Sequence, residues 1–335
     1  MKTALITGIA GQDGSFLAES LLEAGYRVFG FVLEGLPLGN VEKLRDRISI
    51  VYGDMADFPS VAEAVEKSMP DEVYNLAAMS FVADSWKDPA GAAKCNAIGP
   101  LNLLEALRRI RPSARLFQAS SCEIFGRAES CPQNESTPFH PLTPYGIAKL
   151  YAHLMVENYR RSYGMFACSG IFFNHESERR GPQFVTRKIT VAAARIRAGL
   201  QDCLELGNLS SKRDWGYAPD YVRAAVMMLS ADSPRDYVIS SGRASSVREF
   251  AEAAFSAAGF SLAWDGEGVN EKGIDMKTGR VIVRVNPEFF RPTEISSYLG
   301  DSSRIERELG WRRSVSFEEM VRIMTEFDMR EVGAV

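Results

Sequence analysis

Several features that would point to common classes of site are scarce in this chain. Its 335 residues include only 5 cysteines and 3 histidines, and the cysteines are odd in number and form no C-x-x-C pair. These features predict neither a zinc site nor a disulfide framework, and they favour a reducing compartment. The formal net charge is −4, so the composition gives no electrostatic reason to expect binding to nucleic acid or to a membrane surface.

The chain also lacks any run of apolar residues long enough to span a membrane. At its amino end, Met1-Lys2-Thr3 runs directly into the apolar segment Ala4-Leu5-Ile6, without the regions of a secretion signal. Hydrophobic residues make up 46% of the chain and charged residues 24%, which is ordinary for one large or two fused globular domains. We therefore expect a soluble, cytoplasmic protein.

Short apolar segments alternate with helical patterns through the first half, as they do in the βαβ units of parallel sheets. The predicted strands are 4–6, 27–33, 48–52, 72–76, 114–119 and 166–173. Residues 237–239 read as a strand that returns to this domain. The sequence thus predicts a Rossmann-like, doubly wound α/β fold. Its dinucleotide-binding domain covers 1–173 with a return strand near 215–242, and a smaller, interleaved substrate-binding lobe occupies 174–335.

Two segments of the second half have local signatures. Ser246-Val-Arg-Glu249 has the spacing of a capping box, in which a hydroxyl and a carboxylate pair with backbone donors at a helix start. Residues 266–279 combine glycine with charged side chains. We interpret that segment as a surface insertion.

The segment Thr7-Gly8-x-x-Gly11-x-x-Gly14 lies between a predicted strand and a predicted helix. Glycines at this spacing allow a tight turn, close approach of a pyrophosphate, and tight packing of helix on strand. The amino terminus of the helix then meets the phosphates. The alternative is an ordinary glycine-rich turn, but the context favours a dinucleotide site.

Two acidic residues bear on the choice of dinucleotide. A carboxylate about 20 residues after the loop binds the ribose hydroxyls of NAD in such folds. Glu34 has that spacing, although it falls just beyond the second predicted strand and is otherwise a solvated loop acid. Asp54, after the third strand, either contacts adenine or caps the following helix.

Two pairs of residues near the middle of the chain indicate the chemistry. Tyr145 and Lys149 are four apart and share one helix face, where the ammonium can lower the phenol pKa from about 10 toward neutrality. Ser121-x-Glu123 adds a carboxylate that a simple alcohol dehydrogenase does not need. That carboxylate suits removal of a carbon-bound proton and expulsion of water.

Each of these residues has a structural alternative. Tyr145 and Lys149 could be exposed helix residues, Glu123 a salt-bridge partner and Ser121 a turn hydroxyl. Three further types of residue are interpreted as structural. They are the packing residue Cys122, the packing aromatic Trp215, and two histidines that are structural or exposed, His140 and His153.

Longer segments around these motifs resemble the GDP-mannose 4,6-dehydratases, a family of extended short-chain dehydrogenases/reductases. The resemblance covers nearly the whole chain. The matching segments are TGIAGQDGS (7–15), EVYNLAAMS (72–80), FQASSCEIFG (117–126), TPYGIAKLYA (143–152), IFFNHESERRGPQFVTRKIT (171–190), LGNLSSKRDWGYAPDYV (206–222) and FFRPTE (289–294).

The resemblance implies a lyase that converts GDP-mannose to GDP-4-keto-6-deoxy-mannose for deoxyhexose synthesis. Tyr145, assisted by Lys149, would take the C4 hydroxyl proton, and Ser121 would bind the C4 oxygen. Oxidation at C4 makes the C5 proton acidic, so Glu123 would remove it and protonate the leaving C6 hydroxyl. The alternatives are the same chemistry on another GDP-sugar such as a GDP-heptose, a superfamily epimerase or ketoreductase, and a non-catalytic nucleotide-binding protein.

The resemblance also implies ligands, and none of them binds a metal. The implied cofactor ligands are Gly8, Gly11, Gln12, Asp13, Gly14, Asp54, Met55, Leu76, Ala77, Ala78, Ser80, Lys149, His175 and Arg180. The implied substrate ligands are Ser80, Ser120, Asn174, Val185, Lys188, Arg213, Arg291 and Glu294. Arginine suits a diphosphate because its guanidinium can bind two oxygens at once.

The chain departs from the family pattern at three places. Ser121 stands where Thr is usual, which keeps the hydroxyl, and Cys122 replaces Ser. The Arg-Arg-Ser segment that binds the 2′-phosphate of NADP and crosses to a neighbouring subunit is replaced by Leu33-Glu34-Gly35-Leu36-Pro37. We therefore expect NADP with NAD as an open alternative, and a homo-oligomer that is either a dimer or a tetramer.

Overall fold

The structure is a computed structural model that describes residues 1–289 and 298–334. Its strands, in chain order, are β1 (Thr3–Thr7), β2 (Arg27–Val32), β3 (Ser49–Tyr52), β4 (Glu72–Asn75), β5 (Arg115–Ser121), β6 (Ala167–Phe172), β7 (Asn174–Glu176), β8 (Leu204–Leu206), β9 (Lys212–Tyr217), β10 (Tyr237–Ile239), β11 (Ala244–Ser246), β12 (Leu262–Asp265), β13 (Lys272–Asp275) and β14 (Val281–Val285). Its α-helices are α1 (Gln12–Glu23), α2 (Phe58–Ser68), α3 (Val82–Lys87), α4 (Pro89–Ala93), α5 (Gly99–Ile110), α6 (Pro144–Tyr163), α7 (Val185–Arg197), α8 (Ala218–Ser230), α9 (Val247–Ala257), α10 (Ser303–Leu309) and α11 (Phe317–Glu331).

The chain divides into two compact units. The first contains residues 1–173, 218–240 and 300–312, and the second contains the remaining described residues. The segment 300–312 therefore belongs to the first unit, whereas the sequence pattern assigns it to the second lobe.

The first unit is built on a seven-stranded parallel sheet with the strand order β10-β6-β5-β4-β1-β2-β3. This order confirms the Rossmann-like doubly wound fold. Each strand predicted for this sheet is present, with ends shifted by at most two residues. The strand order reverses between β1 and β4, and ligands of such sheets bind outside the carboxyl ends of the strands at that reversal.

Both faces of this sheet are buried, which explains the continuous apolar runs of its strands. In β1, Ala4 and Ile6 belong to one hydrophobic cluster and Leu5 belongs to another, because successive side chains point to opposite faces. The first cluster includes residues of α1 and α8, and the second includes residues of α2 and α5. The sheet edge that carries the loops after the strands is thereby held between two packed layers.

The second unit contains a three-stranded sheet (β11-β9-β7) and a four-stranded sheet (β12-β13-β14-β8). Helices α7, α9 and α11 contribute to its apolar cluster. Trp215 is 3% exposed and contacts the rings of Phe250 and Phe317, which confirms that it is a packing aromatic. The capping box at Ser246 and Glu249 is also confirmed at the start of α9.

The interpretation of residues 266–279 as a surface insertion is wrong. Strand β13 lies inside the four-stranded sheet and pairs with β12 on one side and β14 on the other. Gly273 is buried there, and a β-carbon at this position would lie 3.1 Å from both Trp264 and Val283. The glycine permits close packing in a sheet, but in the sequence it resembles a loop residue. Among the described helices, none is long and apolar enough to cross a membrane.

Candidate active site

The glycine loop has the conformation that its sequence predicts. Gly8 adopts a φ of +70°, and a β-carbon there would lie 2.8 Å from the backbone nitrogen of Ala77. A β-carbon at Gly14 would lie 2.6 Å from the Cα of Ile9. Helix α1 begins directly after Gly11, so the close backbone contacts at Gly8 and Gly14 lie beside a helix amino terminus. This cradle suits the phosphates of a dinucleotide, because backbone N–H groups and the helix dipole both favour an anion.

The segment after β4 lies against the same loop. Leu76 and Ala77 donate their backbone N–H groups to the carbonyl and hydroxyl oxygens of Thr7, both at 3.2 Å. Ala78 follows in the same loop and is partly buried, whereas Ser80, just before α3, is exposed. Gly8, Leu76 and Ala77 are therefore brought together at the reversal of strand order.

The loop after β3 holds the next pair of implied cofactor ligands. Met55 is buried, and a β-carbon at Gly99 would lie 2.8 Å from its Cβ. Asp54 is exposed and accepts a hydrogen bond from the backbone N–H of Ala56 at 2.8 Å. The residue that caps α2 is Asp57, whose carboxylate accepts from the N–H of Ser60. Asp54 does not cap that helix, and its contact with adenine stays a prediction.

Ser121 and Glu123 lie where β5 ends and a short 3-10 turn begins. The backbone N–H of Glu123 donates to the Oγ of Ser121 at 3.3 Å. The Oγ of Thr143 lies 3.5 Å from a carboxylate oxygen of Glu123. The Oγ of Ser120 is buried and makes no hydrogen bond to the described residues. A buried hydroxyl without a partner costs free energy, so a ligand that bonds to Ser120 would be stabilised there.

Helix α6 positions Tyr145 and Lys149. Thr143 caps the helix by accepting from the N–H of Gly146, and Pro144 occupies the first turn. The Nζ of Lys149 lies 5.7 Å from the centre of the Tyr145 ring. The backbone N–H of Tyr145 donates to the Oγ of Ser85 at 3.2 Å, which ties the helix start to α3. Both predicted catalytic side chains are buried, Tyr145 at 7% and Lys149 at 4% exposure.

Burial also sets the charge state of Lys149. It lowers the pKa of the ammonium from 10.5 to about 8, and electrostatic interactions with Cys95 and Asp13 partly oppose this shift. The ammonium donates to the carbonyl oxygen of Ala119 at 3.0 Å. Lys149 is thus a weakly acidic cation beside a phenol, an arrangement that stabilises a phenolate.

The remaining implied ligands belong to the second unit. Asn174 and His175 lie on β7, in register with Trp215 and Gly216 of β9. The Nε of Arg180 forms an ion pair with the carboxylate of Glu176 at 3.1 Å, so its guanidinium is already oriented by a buried acid.

Three residues that the resemblance assigns to the substrate are also on this unit. Val185 is the first residue of α7 and is 38% exposed. The Nζ of Lys188 lies 4.5 Å from the ring centre of Phe289, and burial lowers the pKa of that amine, with Glu205 opposing the shift. Arg213 lies on β9 with its Cζ 5.7 Å from the ring centre of Tyr298. Arg291 and Glu294 lie outside the described residues.

Sequence reasoning missed three contributors to this site. Thr143 could have been found, because Thr before Pro at the start of a helical pattern signals a cap. Ser85 and the carbonyl of Ala119 could not, because their roles depend on which segments the fold brings together. Cys122 is 3% exposed, as predicted for a packing residue, and His153 is buried while His140 is exposed.

Comparisons with known proteins identify the family of the chain. Residues 5–324 match the family described as GDP-mannose 4,6 dehydratase. A GDP-mannose 4,6-dehydratase of Sinorhizobium fredii is 46% identical over 98% of this chain and 97% of its own. The Yersinia enterocolitica protein of that name is 44% identical over 99% and 95%, and the Homo sapiens protein is 43% identical over 98% and 91%.

Solved structures support the same fold. The UDP-glucose 4-epimerase of Thermotoga maritima with UDP-glucose has a TM-score of 0.83 at 25% identity, covering 98% of this chain and 99% of its own. The Thermus thermophilus UDP-glucose 4-epimerase in complex with NAD has a TM-score of 0.81 at 26% identity, covering 97% and 98%. Because the family match spans nearly the whole chain and the curated relatives are well above 30% identical, this protein belongs to the GDP-mannose 4,6-dehydratase family.

Proposed function

We propose that this protein is a hydro-lyase that converts GDP-mannose to GDP-4-keto-6-deoxy-mannose. The observation that carries the proposal is the grouping of Ser121 and Glu123, at the end of β5, in the same unit as the paired Tyr145 and Lys149 of α6. A plain dehydrogenase needs the second pair only. Membership of the GDP-mannose 4,6-dehydratase family supports the same substrate and reaction.

A nicotinamide dinucleotide fits the residues of the first unit. The backbone around Gly8 and Gly14 has no space for a β-carbon, and a helix amino terminus follows it. These residues would hold the pyrophosphate, and Met55 and Ala77 would lie near the rest of the cofactor. When bound, the nicotinamide would accept a hydride from C4 of the sugar and later return it at C6.

Tyr145 and Lys149 supply the base for the first step. The C4 hydroxyl must lose its proton as C4 is oxidised, and the phenolate of Tyr145 takes it. The ammonium of Lys149 favours that phenolate because it places a positive charge in a buried, weakly screened position beside the ring. The phenol can then return a proton to C5 at the end of the cycle.

Ser121 and Glu123 carry the elimination. The Ser121 hydroxyl donates to the C4 oxygen and stabilises the negative charge that develops there when C5 loses its proton. The Glu123 carboxylate removes the C5 proton and delivers it to the departing C6 hydroxyl, so one water leaves and no net charge is created. The Oγ of Ser120, which has no hydrogen-bond partner among the described residues, is a further donor for the hexose.

The nucleotide would be bound by the cations of the second unit. Lys188 and Arg213 each lie over an aromatic ring, which restricts their side chains and leaves them suited to diphosphate oxygens. Asn174, Val185, Arg291 and Glu294 remain ligands implied by family membership.

The choice between NADP and NAD depends on the residues that follow β2. Family resemblance implies NADP, but Glu34 lies in the exposed turn directly after β2, where NAD-binding sheets place an acid for the ribose hydroxyls. A carboxylate at that point would repel a 2′-phosphate. Glu34 therefore supports NAD.

We also propose that the protein self-associates through one face of α6. Ile147, Tyr151 and Leu154 are 58%, 38% and 46% exposed and share one face of α6. Exposed apolar side chains in a row indicate a contact surface, and its occupant would be a second copy of this chain. Sedimentation of wild-type protein as a dimer and of Leu154→Glu as a monomer would support this; a monomeric wild type would overturn it.

The decisive experiment uses GDP-mannose deuterated at C4 and no added reductant. We expect mass spectrometry to show loss of one water, with the deuterium retained and located at C6. A product without loss of water, or unchanged GDP-mannose, would contradict the proposal.

A further inference from the structure

Three polar side chains form a row across the central sheet of the first unit. Thr7 of β1 is in register with Asn75 of β4, and Asn75 is in register with Gln118 of β5. Their exposed fractions are 1%, 0% and 1%. A buried polar group at the centre of a parallel sheet costs free energy unless it forms hydrogen bonds, so these three side chains need hydrogen-bond partners.

The row is a continuous hydrogen-bonded chain with one direction. The hydroxyl of Thr7 donates to Oδ1 of Asn75 at 2.5 Å, and Nδ2 of Asn75 donates to Oε1 of Gln118 at 2.6 Å. Nε2 of Gln118 then donates to the carbonyl oxygen of Ala119 at 2.9 Å.

The backbone groups at the two ends of this hydrogen-bonded chain determine which side-chain atoms donate and which accept. At one end, the backbone N–H of Ala77 donates to the Thr7 hydroxyl, so that hydroxyl can pass its own hydrogen to Asn75. At the other end, the carbonyl of Ala119 can only accept, so the amide nitrogen of Gln118 must face it. The orientation of both amides follows from these two constraints.

The carbonyl at the end of the chain is the one that holds Lys149. The Ala119 oxygen accepts from the Lys149 ammonium at 3.0 Å as well as from Gln118. Among the described residues it is the only hydrogen-bond acceptor of that ammonium. Lys149 is 4% exposed, so little solvent is present to replace a lost acceptor. The direction in which this carbonyl points therefore decides where the ammonium lies.

We propose that Gln118 is a positioning residue for Lys149, because it fixes the Ala119 carbonyl that anchors the ammonium. The chain through Asn75 connects this anchor to Thr7, the residue that leads into the glycine loop. The inference rests on the proposed function only in assigning Lys149 a catalytic role. Its structural content, the anchoring of the ammonium, can be measured without substrate.

A purely structural role would make a different prediction. If the row only satisfied its own buried groups, its loss would lower stability and leave the titration of Lys149 unchanged. The matched control is Gln133, which is 1% exposed and also donates from Nε2 to a backbone carbonyl, that of Ser130, at 2.9 Å.

The test compares Gln118→Met with Gln133→Met in the full-length protein. The Lys149 pKa is followed by NMR of 13C-labelled lysine without substrate, and Lys149→Met identifies its signal. The hydrogen bond from the Lys149 ammonium to the Ala119 carbonyl favours the charged form of the lysine. Gln118→Met frees that carbonyl to move and so weakens the bond. We therefore expect the Lys149 pKa to fall by about half a unit or more in Gln118→Met and to stay unchanged in Gln133→Met. In turnover, kcat should fall about tenfold with KM within about twofold, and the alkaline limb of the pH profile should move to lower pH.

Equal Lys149 titration in the wild type and in Gln118→Met would overturn the inference. A second variant, Thr7→Val at the far end of the chain, should shift the pKa in the same direction by a smaller amount. If the Gln118→Met protein does not fold, Thr7→Val becomes the decisive variant. A shifted Lys149 signal in a protein that does not dehydrate GDP-mannose would leave this inference standing and reject the proposed function alone.

Discussion

Gly146 lies so close to the carbonyl oxygen of Glu123 that a β-carbon at Gly146 would be 2.6 Å from it. This contact sets the distance between the helix that carries Tyr145 and the turn that carries Glu123. An alanine in a helix normally stabilises relative to glycine, but here it would force the two segments apart. We expect Gly146→Ala to lower the free energy of unfolding by about 1–3 kcal/mol.

Activity should fall further than stability in that variant. A displacement of catalytic groups by about 1 Å can cost about 100-fold in rate. We expect kcat at a temperature where Gly146→Ala is fully folded to fall by at least tenfold. Wild-type kcat in a folded Gly146→Ala protein would show that this contact does not set the catalytic geometry.

Removal of the Tyr145 hydroxyl should stop the reaction at its first step. Without a base for the C4 proton, Tyr145→Phe should lower kcat by about 100- to 10,000-fold, and no reduced nicotinamide should form in a single turnover. The control is Tyr159→Phe on the same helix, whose hydroxyl donates to Glu105 at 2.6 Å. That variant should lose stability and keep its kcat. Reduced nicotinamide in Tyr145→Phe would assign the base to another residue.

Glu123→Gln should block a later step. C4 oxidation does not need this carboxylate, so reduced nicotinamide should accumulate while water loss falls by about 100-fold or more. The exposed acid Glu129 lies six residues further along, and Glu129→Gln should behave as the wild type. Intact dehydration in Glu123→Gln would refute the role assigned to this residue.

The depressed pKa of Lys149 predicts two pH effects of opposite kind. In the proposed mechanism the reaction requires the Lys149 ammonium, so kcat should fall as the pH rises through about 8. The free energy of unfolding should instead increase as the pH rises. Between pH 8 and 10.5 the unfolded chain holds a proton on this lysine that the folded protein has released, so folding becomes relatively more favourable as pH rises.

The difference can be measured against Lys149→Met, which has no ionisable group at this position. Across that interval the wild type should gain up to about 3 kcal/mol of unfolding free energy relative to the variant. Urea titrations at the two pH values provide the measurement. A constant difference between the two proteins would mean that Lys149 titrates at its ordinary pKa.

Glu34→Arg tests the choice of dinucleotide. Exchange of a repelling carboxylate for a guanidinium should improve the affinity for NADP relative to NAD by about tenfold or more. Glu23→Arg makes the same change of charge at the exposed end of α1, before β2 begins, and should leave the ratio unchanged. Calorimetric titration with both dinucleotides measures the ratio. No change in Glu34→Arg would place the ribose away from this turn.

Much of the first unit could be predicted because its signals are local. Apolar runs separated by helical patterns gave the strands of a parallel sheet, and three glycines at fixed spacing identified the turn after β1. Gly8 adopts a positive φ, which few other residue types accept, so the turn requires glycine at this position and the requirement is visible in the sequence. Tyr145 and Lys149 were predicted as a pair because helical periodicity places residues four apart on one face.

The parts that escaped prediction depend on contacts distant in sequence. Ser85 supports Tyr145 across 60 residues, and no local pattern indicates that contact. The carbonyl of Ala119 has no sequence signature at all, because every residue carries one. Strand β13 was interpreted as loop because its glycine and charges outweigh its short apolar content, and only pairing with β12 and β14 makes it a strand.

The return of residues 300–312 to the first unit has a consequence for biosynthesis. Trp311 is 1% exposed, packs against Tyr221 and donates its indole N–H to the carbonyl of Asp220 at 2.9 Å. The unit that contains the glycine loop is therefore completed by a segment that is translated only after residues 241–299 of the second unit. A nascent chain that ends before Ile305 lacks part of the layer that covers one face of its sheet, and must wait for translation to supply it.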